Sequence, residues 1–159
     1  MRSWSKWPSS ESGGANLLYP FQKLKSCEQK AVSSEQTVMS SKPHRNLIAW
    51  QKAMDLAVAI YSATSKFPKE EMYCLTSQLR RAAVSVPSNI AEGAADRTIH
   101  QFYNFLSNAI GSLNEIDTQI DLGLRLGYLA ENDYHHLYKI LDDCLALTYG
   151  LRKSLRQKK

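Results

Sequence analysis

The stretch MYCLTSQLRRAAVSVPSNIAEG, residues 72–93, decides how the rest of the chain is read. Wound at about 100° per residue, its Met72, Leu75, Leu79, Ala82, Ala83, Val86 and Ile90 fall within roughly 100° of arc, the apolar stripe of an amphipathic helix. A second stripe lies opposite. With Arg81 taken as zero, Gln78, Ser85, Ser88 and Glu92 fall between about −20° and +60°, and Asn89 near +80°. A solvated face is one reading, but surface stripes are usually filled by Lys, Glu and Gln, and Ser and Asn are poor interior helix residues. Small polar side chains with one Arg and one Glu instead suit a subunit interface or a ligand groove. Pro87 removes the bond its amide would make to Ala83 and predicts a kink, and Gly93 reads as the helix terminator.

Working outward, the flanking segments repeat the helical period. Upstream, Leu47, Trp50, Met54, Ala57, Tyr61 and Thr64 step by three and four, and Phe67-Pro68 closes that helix because a residue before proline is pushed out of the α region. Pro68 suits the first turn of the next helix, with Glu70 and Glu71 against its N-terminal dipole. Downstream, Thr98-Ile99-His100-Gln101 has the form of a capping box. It opens a helix whose core stripe is Phe102, Leu106, Ala109, Leu113, Ile116 and Ile120, and Gly127 followed by Tyr128 reads as its C-terminal stop. The last helix begins near Glu131 and carries Tyr134, Leu137, Leu141, Leu145, Thr148 and Leu155. Short links force neighbours antiparallel. The expected fold is therefore all-α, an antiparallel up-down-up-down four-helix bundle over residues 44–159.

Residues 1–43 read differently. They are rich in Ser, Lys and Gln, and scatter Trp4, Trp7, Tyr19 and Phe21 without a sustained period, so a disordered N-terminal extension is expected. Met39 offers an internal start just ahead of the periodic region, and intact mass of the natively expressed protein tests whether residues 1–38 are translated.

The whole chain has 159 residues, 43% of them hydrophobic, with 20 Lys plus Arg against 15 Asp plus Glu and a formal net charge of +5. The surplus sits at the ends: residues 1–44 carry +3, residues 45–151 carry −3, and residues 152–159 hold five bases and no acid. A mildly acidic body with a cationic tail gives an electrostatic foothold for nucleic acid or an acidic partner. No run approaches the roughly 18 apolar residues of a transmembrane helix, so no membrane partner is expected. The three cysteines, Cys27, Cys74 and Cys144, are widely spaced and form no metal-ligand pattern, which fits reduced thiols in the cytoplasm.

Catalytic chemistry finds little support. The di-iron bundle needs two Glu-x-x-His motifs and none is present. Glu131, Asp133, His135 and His136 come nearest to a metal set, and a solvated helix start accounts for them. Cys74 and Cys144 have no adjacent His, Ser85 lacks a nucleophile elbow, and no glycine-rich phosphate loop occurs. No catalytic residue, metal or cofactor is assigned.

The runs Trp50-Gln51-Lys52-Ala53, Phe67-Pro68-Lys69-Glu70, Gln78 to Gly93, Phe102 to Leu106 and Gly111-Ser112-Leu113 resemble the four-helix-bundle family of 23S rRNA intervening-sequence proteins, over residues 44–155. Members are encoded in sequences inserted into bacterial large-subunit rRNA genes or elsewhere in bacterial genomes, and have been described as ribosomal-protein-like. The resemblance implies a ring of identical subunits, five in number, and a distant similarity to the accessory variability proteins of retroelements, which bind nucleic acid and a reverse transcriptase. It implies no enzymatic activity. Residues 1–43 have no counterpart in the family pattern.

Three functional expectations follow. The first is a non-enzymatic homo-oligomeric scaffold that binds structured RNA or a nucleoprotein. In it Gln78, Arg81, Ser85, Ser88, Asn89 and Glu92 form the oligomer interface or groove, and Arg152, Lys153, Arg156, Lys158 and Lys159 touch phosphate. The second is a protein-interaction module without nucleic-acid binding. The third is an enzyme or metal protein centred on Arg81, Asn89 and Glu92, or on His135 and His136.

Overall fold

The computed structural model describes residues 42–95 and 98–156. The extension expected over residues 1–43 therefore lies, up to Ser41, outside the described residues, as do Lys158 and Lys159. A 3-10 turn at Pro43–Asn46 leads into α1 (Ile48–Thr64). A second 3-10 turn, Lys69–Tyr73, precedes α2 (Leu75–Ala95), and α3 (Ile99–Arg125) and α4 (Glu131–Arg156) follow. With 17 to 27 residues each, the helices are about 26 to 40 Å long. They form the antiparallel four-helix bundle that the periodicity predicts. α1 packs on α2 and α4, and α3 packs on the same two, so the helices stand at the corners of a square around one core.

That core is built from the predicted stripes of α2, α3 and α4. Leu79, Val86 and Ile90 of α2, Leu106, Leu113, Ile116 and Ile120 of α3, and Leu141 of α4 are all but fully buried. Met72 is not part of it, since it lies on the 3-10 turn ahead of α2 and is exposed. Truncating one of these leucines to alanine costs about 2–5 kcal/mol in comparable cores.

The register of α1 differs from the expected one. Its buried face is Ala49, Ala53, Leu56, Ile60 and Ala63, with Ala57 and Thr64, whereas Met54 and Tyr61 face outward. The sequence IAWQKAMDLAVAIYSAT is apolar around most of the circumference, so spacing alone does not choose a face. Packing chooses the alanines because they admit neighbouring helices closely, while Tyr61 lies under the Arg80 guanidinium, 4.8 Å from the ring centre.

Gly93 is not a terminator. α2 runs two residues past it to Ala95, and Gly93 is buried. A Cβ placed there would meet Phe102 Cδ2 at 2.5 Å and Phe105 Cβ at 2.9 Å, so the glycine lets the end of α2 cross the start of α3 at close range. Pro87 is buried inside α2 and the helix continues on both sides of it.

The predicted helix ends are otherwise found. The Thr98 hydroxyl accepts from the Gln101 amide at the start of α3. At its other end Gly127 has φ +75°, with Tyr128 N–H donating to Gly123 O at 2.9 Å and Gly127 N–H to Leu124 O at 2.9 Å, the paired bonds of a Schellman stop. Pro68 precedes the 3-10 turn instead of starting α2. Glu71 supplies the cap that α2 needs: its carboxylate accepts from Leu75 N–H at 3.1 Å and from the Tyr128 hydroxyl at 3.3 Å.

Candidate nucleic-acid interface

Because α3 and α4 are antiparallel neighbours, the first turns of α3 lie beside the last turns of α4. His100, Tyr103 and Ser107 recur on one face of α3 at i, i+3 and i+7, and Tyr149, Arg152 and Arg156 recur with the same spacing on α4. Arg152 joins the two rows. Its Nη1 donates to Ser107 Oγ at 3.4 Å, and its guanidinium carbon lies 5.5 Å from the Tyr103 ring centre and 5.0 Å from that of Tyr149. Both rings are within the range of cation–π attraction.

Two shallow depressions flank this junction. One, of about 370 Å3, is lined by Tyr103, Tyr149, Gly150, Arg152, Lys153 and Arg156. The other, of about 420 Å3, is lined by Ile99, His100, Tyr103, Asn104, Leu155 and Arg156. They share Tyr103 and Arg156, and among the described residues no acidic side chain lines either. The start of α3 adds the partial positive charge of a helix N-terminus to the same side. Lys153 and Arg156 are exposed, and Tyr149 keeps 45% of its surface open. The arrangement can attract an anion and offer it an aromatic face.

Of the expected phosphate contacts, Arg152, Lys153 and Arg156 are thus brought together on one surface, with Arg152 already held by two tyrosines and a serine. Lys158 and Lys159 lie outside the described residues. Composition and charge pointed to the cations but not to Tyr103, Tyr149, His100 or Asn104. The available signal was the i, i+3 spacing of His100 with Tyr103 and of Tyr149 with Arg152.

The polar stripe of α2 divides in two. Ser85 and Asn89 are half-buried: Ser112 Oγ of α3 donates to Ser85 Oγ at 2.9 Å, and Asn89 Nδ2 donates to Ser85 O at 2.8 Å within α2. Gln78, Arg81, Ser88 and Glu92 are exposed. Arg81 is held between Gln78 Oε1 and, at 3.7 Å, Glu115 Oε1 of α3, while the Ser88 hydroxyl donates back to Val84 O at 2.8 Å. Part of the stripe therefore serves the α2–α3 seam, and the outer part stays open beside Val84, itself 45% exposed.

The acidic start of α4 is engaged structurally. Asp133 pairs with Lys66 at 2.9 Å and the His135 ring packs against Tyr134. Among the described residues no three His, Cys, Asp or Glu side chains gather as metal ligands would. Cys144 is fully buried, and burial pushes its thiol from its ordinary value near 9 up to about 11, away from the thiolate that a nucleophile requires. No described helix is long and apolar enough to cross a membrane.

The family model described as 23S rRNA-intervening sequence protein matches residues 45–150. A crystal structure of a protein of unknown function, from the S23 ribosomal protein family of Bacteroides thetaiotaomicron, is similar with a TM-score of 0.62 at 20% sequence identity. The match covers 67% of this chain and 96% of that one, a likeness of fold. No curated protein matches the sequence.

Proposed function

The chain belongs to the 23S rRNA-intervening sequence protein family, and from that premise we propose that it is a non-enzymatic, cytoplasmic scaffold which assembles with copies of itself and binds structured RNA or a nucleoprotein. One observation carries the reading: exposed Lys153 and Arg156 stand beside Tyr103 and Tyr149 on a surface whose depressions are lined, among the described residues, by no carboxylate. Clustered cations bind phosphate by releasing condensed counterions, so affinity falls as salt rises. Repeating that surface in a ring of five subunits multiplies individually weak contacts.

The outer part of the α2 stripe supports self-association. Arg81 is pre-oriented by Glu115 and Gln78, which lowers the entropy lost on docking, and Val84 supplies apolar area at the edge of the same face. Arg81→Ala lowers oligomer mass measured by light scattering, whereas Lys139→Ala leaves it unchanged. Equal masses would remove the assignment.

A mobility-shift titration with excised intervening-sequence RNA tests nucleic-acid binding. Affinity decreases with salt, and it drops at least about tenfold when residues 152–159 are deleted, by the counterion argument. Binding that is flat with salt, or unchanged by the deletion, would overturn the RNA reading. A protein-interaction module is the second reading, favoured by Met54, Val58 and Tyr61 exposed along the outer face of α1. Capture of protein partners from nuclease-treated lysate, with no RNA bound, would select it.

A further inference from the structure

Lys153 and Arg156 would attract any polyanion, but Tyr149 and Tyr103 add something that charge alone does not need. We infer that the depression bounded by Tyr103, Tyr149, Lys153 and Arg156 takes an unpaired nucleotide, so that the protein selects single-stranded segments of RNA over duplex. The inference rests on the RNA reading above and names the class of RNA which that same surface recognises.

Chemistry and shape both favour an unpaired base. Tyr149 is 45% exposed at the edge of a depression of about 370 Å3, in the lower part of the size range of small-ligand pockets. A base flipped or splayed out of a strand can reach an aromatic face, whereas in an A-form duplex the bases are stacked inside and only phosphate and 2′-hydroxyl are presented. Stacking accepts any base, because each has a π face, and the flanking cations follow the backbone. Arg152 is the positioning residue. Its guanidinium lies over both rings and is tied to Ser107, which fixes the tyrosines relative to Lys153 and Arg156. Beyond Arg156, the second depression continues along His100 and Asn104, whose side chains can hydrogen-bond a base edge or ribose. The surface thus has the parts of a single-strand site, a positively charged track with rings set along it.

An acidic peptide is the competing ligand class. It would use Lys153 and Arg156 equally well but would gain nothing specific from the aromatic rings beside them. The presence of two tyrosines at this junction favours nucleic acid.

The test uses the full chain and three probes: a fluorescein-labelled 12-nucleotide single-stranded RNA of mixed sequence, the same strand annealed to its complement, and an oligo-glutamate competitor of matched charge. Anisotropy titration gives tighter binding to the single strand than to the duplex at equal salt. Tyr149→Ala weakens single-strand binding by about 5- to 100-fold, leaves the salt slope unchanged, and Tyr149→Phe restores affinity. Lys153→Gln and Arg156→Gln act differently, each reducing the slope of log affinity against log salt by about 0.7. Circular dichroism establishes that each variant is folded. Salt-dependent binding in which the duplex equals or exceeds the single strand, or in which Tyr149→Ala binds like the parent, would overturn this inference and leave the RNA reading standing. Competition by oligo-glutamate as effective as by unlabelled RNA would also overturn it. Binding of neither RNA probe at low salt would overturn both.

Discussion

The two ends of the bundle are built on opposite principles. Where α1 and α3 end and α2 and α4 begin, the two connections meet over a shared apolar lid, although Met72, Tyr73 and Leu126 stay exposed at its rim. Phe67 and Leu129 are buried, the Phe67 and Tyr128 rings meet with centres 5.8 Å apart, and Glu71 ties the first turn of α2 to the Tyr128 hydroxyl. Gly123 lies beneath this lid, where a Cβ would touch Leu129 at 3.2 Å and Phe67 at 3.4 Å. Burial, and the Glu71 carboxylate beside it, push the Tyr128 phenol above its ordinary value. At the other end, on the α3–α4 side, side chains with polar or cationic tips stand around open depressions, and Tyr149, Lys153 and Arg156 are exposed. One end spends its chemistry on itself and the other presents it. Stability and binding should therefore respond to different substitutions.

The largest effect is expected at the sealed end. Phe67→Ala leaves a cavity under the lid and lowers stability by about 3–5 kcal/mol, the range for buried phenylalanines. Chemical denaturation measures it as a lower midpoint at unchanged slope. A loss below about 1 kcal/mol would mean that the lid is not packed as described.

Gly93→Ala tests how far the open character extends. The residue belongs to the open end, yet it sits in the α2–α3 seam and not in the α3–α4 groove. An alanine is a better helix former by about 1 kcal/mol. Its Cβ would nevertheless collide with Phe102, which can swing, and with Phe105 Cβ, which is fixed to the α3 backbone. Overpacking of this kind costs about 1–3 kcal/mol, so the substitution destabilises. If it stabilised instead, the openness would extend across the whole end of the bundle. Gly111 is the internal contrast, a helical glycine where an added Cβ would meet nothing within 4 Å, and Gly111→Ala gains the propensity without the collision.

Next in size is Glu71→Ala, which removes one helix cap and one tether to the α3–α4 turn together. A cap is worth about 1 kcal/mol, and the same denaturation series should place this variant below Phe67→Ala and near Gly93→Ala. No loss at all would show that water replaces the carboxylate at the sealed end, making that end less closed than its contacts suggest.

How much of this was legible in the sequence follows the same division between local and distant causes. The Thr98 cap, the Gly127 stop and the stripes of α2, α3 and α4 depend on spacing within a few residues, and each was readable. The register of α1 was not, because a helix with Ala49, Ala53 and Leu56 on one side and Met54, Val58 and Tyr61 on the other has two apolar faces. The choice lies with α2 and α4. Gly93 was ambiguous for a related reason: a glycine marks a helix end or a close crossing equally well, and only Phe102 and Phe105 decide between them. At the candidate site the cations were visible as a charge run. Tyr103 and Tyr149 were not, since nothing in their own neighbourhoods says that they share Arg152. That juxtaposition comes from antiparallel topology.

The smallest stability effect should come from the residue with the most to do at the open end. Tyr149→Ala removes an aromatic ring, which in the core would cost several kcal/mol. Here the residue is 45% exposed and its ring meets the Arg152 guanidinium, a contact worth about 0.5–1 kcal/mol at exposed sites. Arg152 also keeps its contacts to Tyr103 and Ser107, so the variant should unfold within about 1 kcal/mol of the parent. A loss as large as that of Phe67→Ala would make Tyr149 a structural residue and erase the distinction between the two ends. A near-neutral midpoint combined with weakened RNA binding would locate the ring's contribution in the ligand and not in the fold.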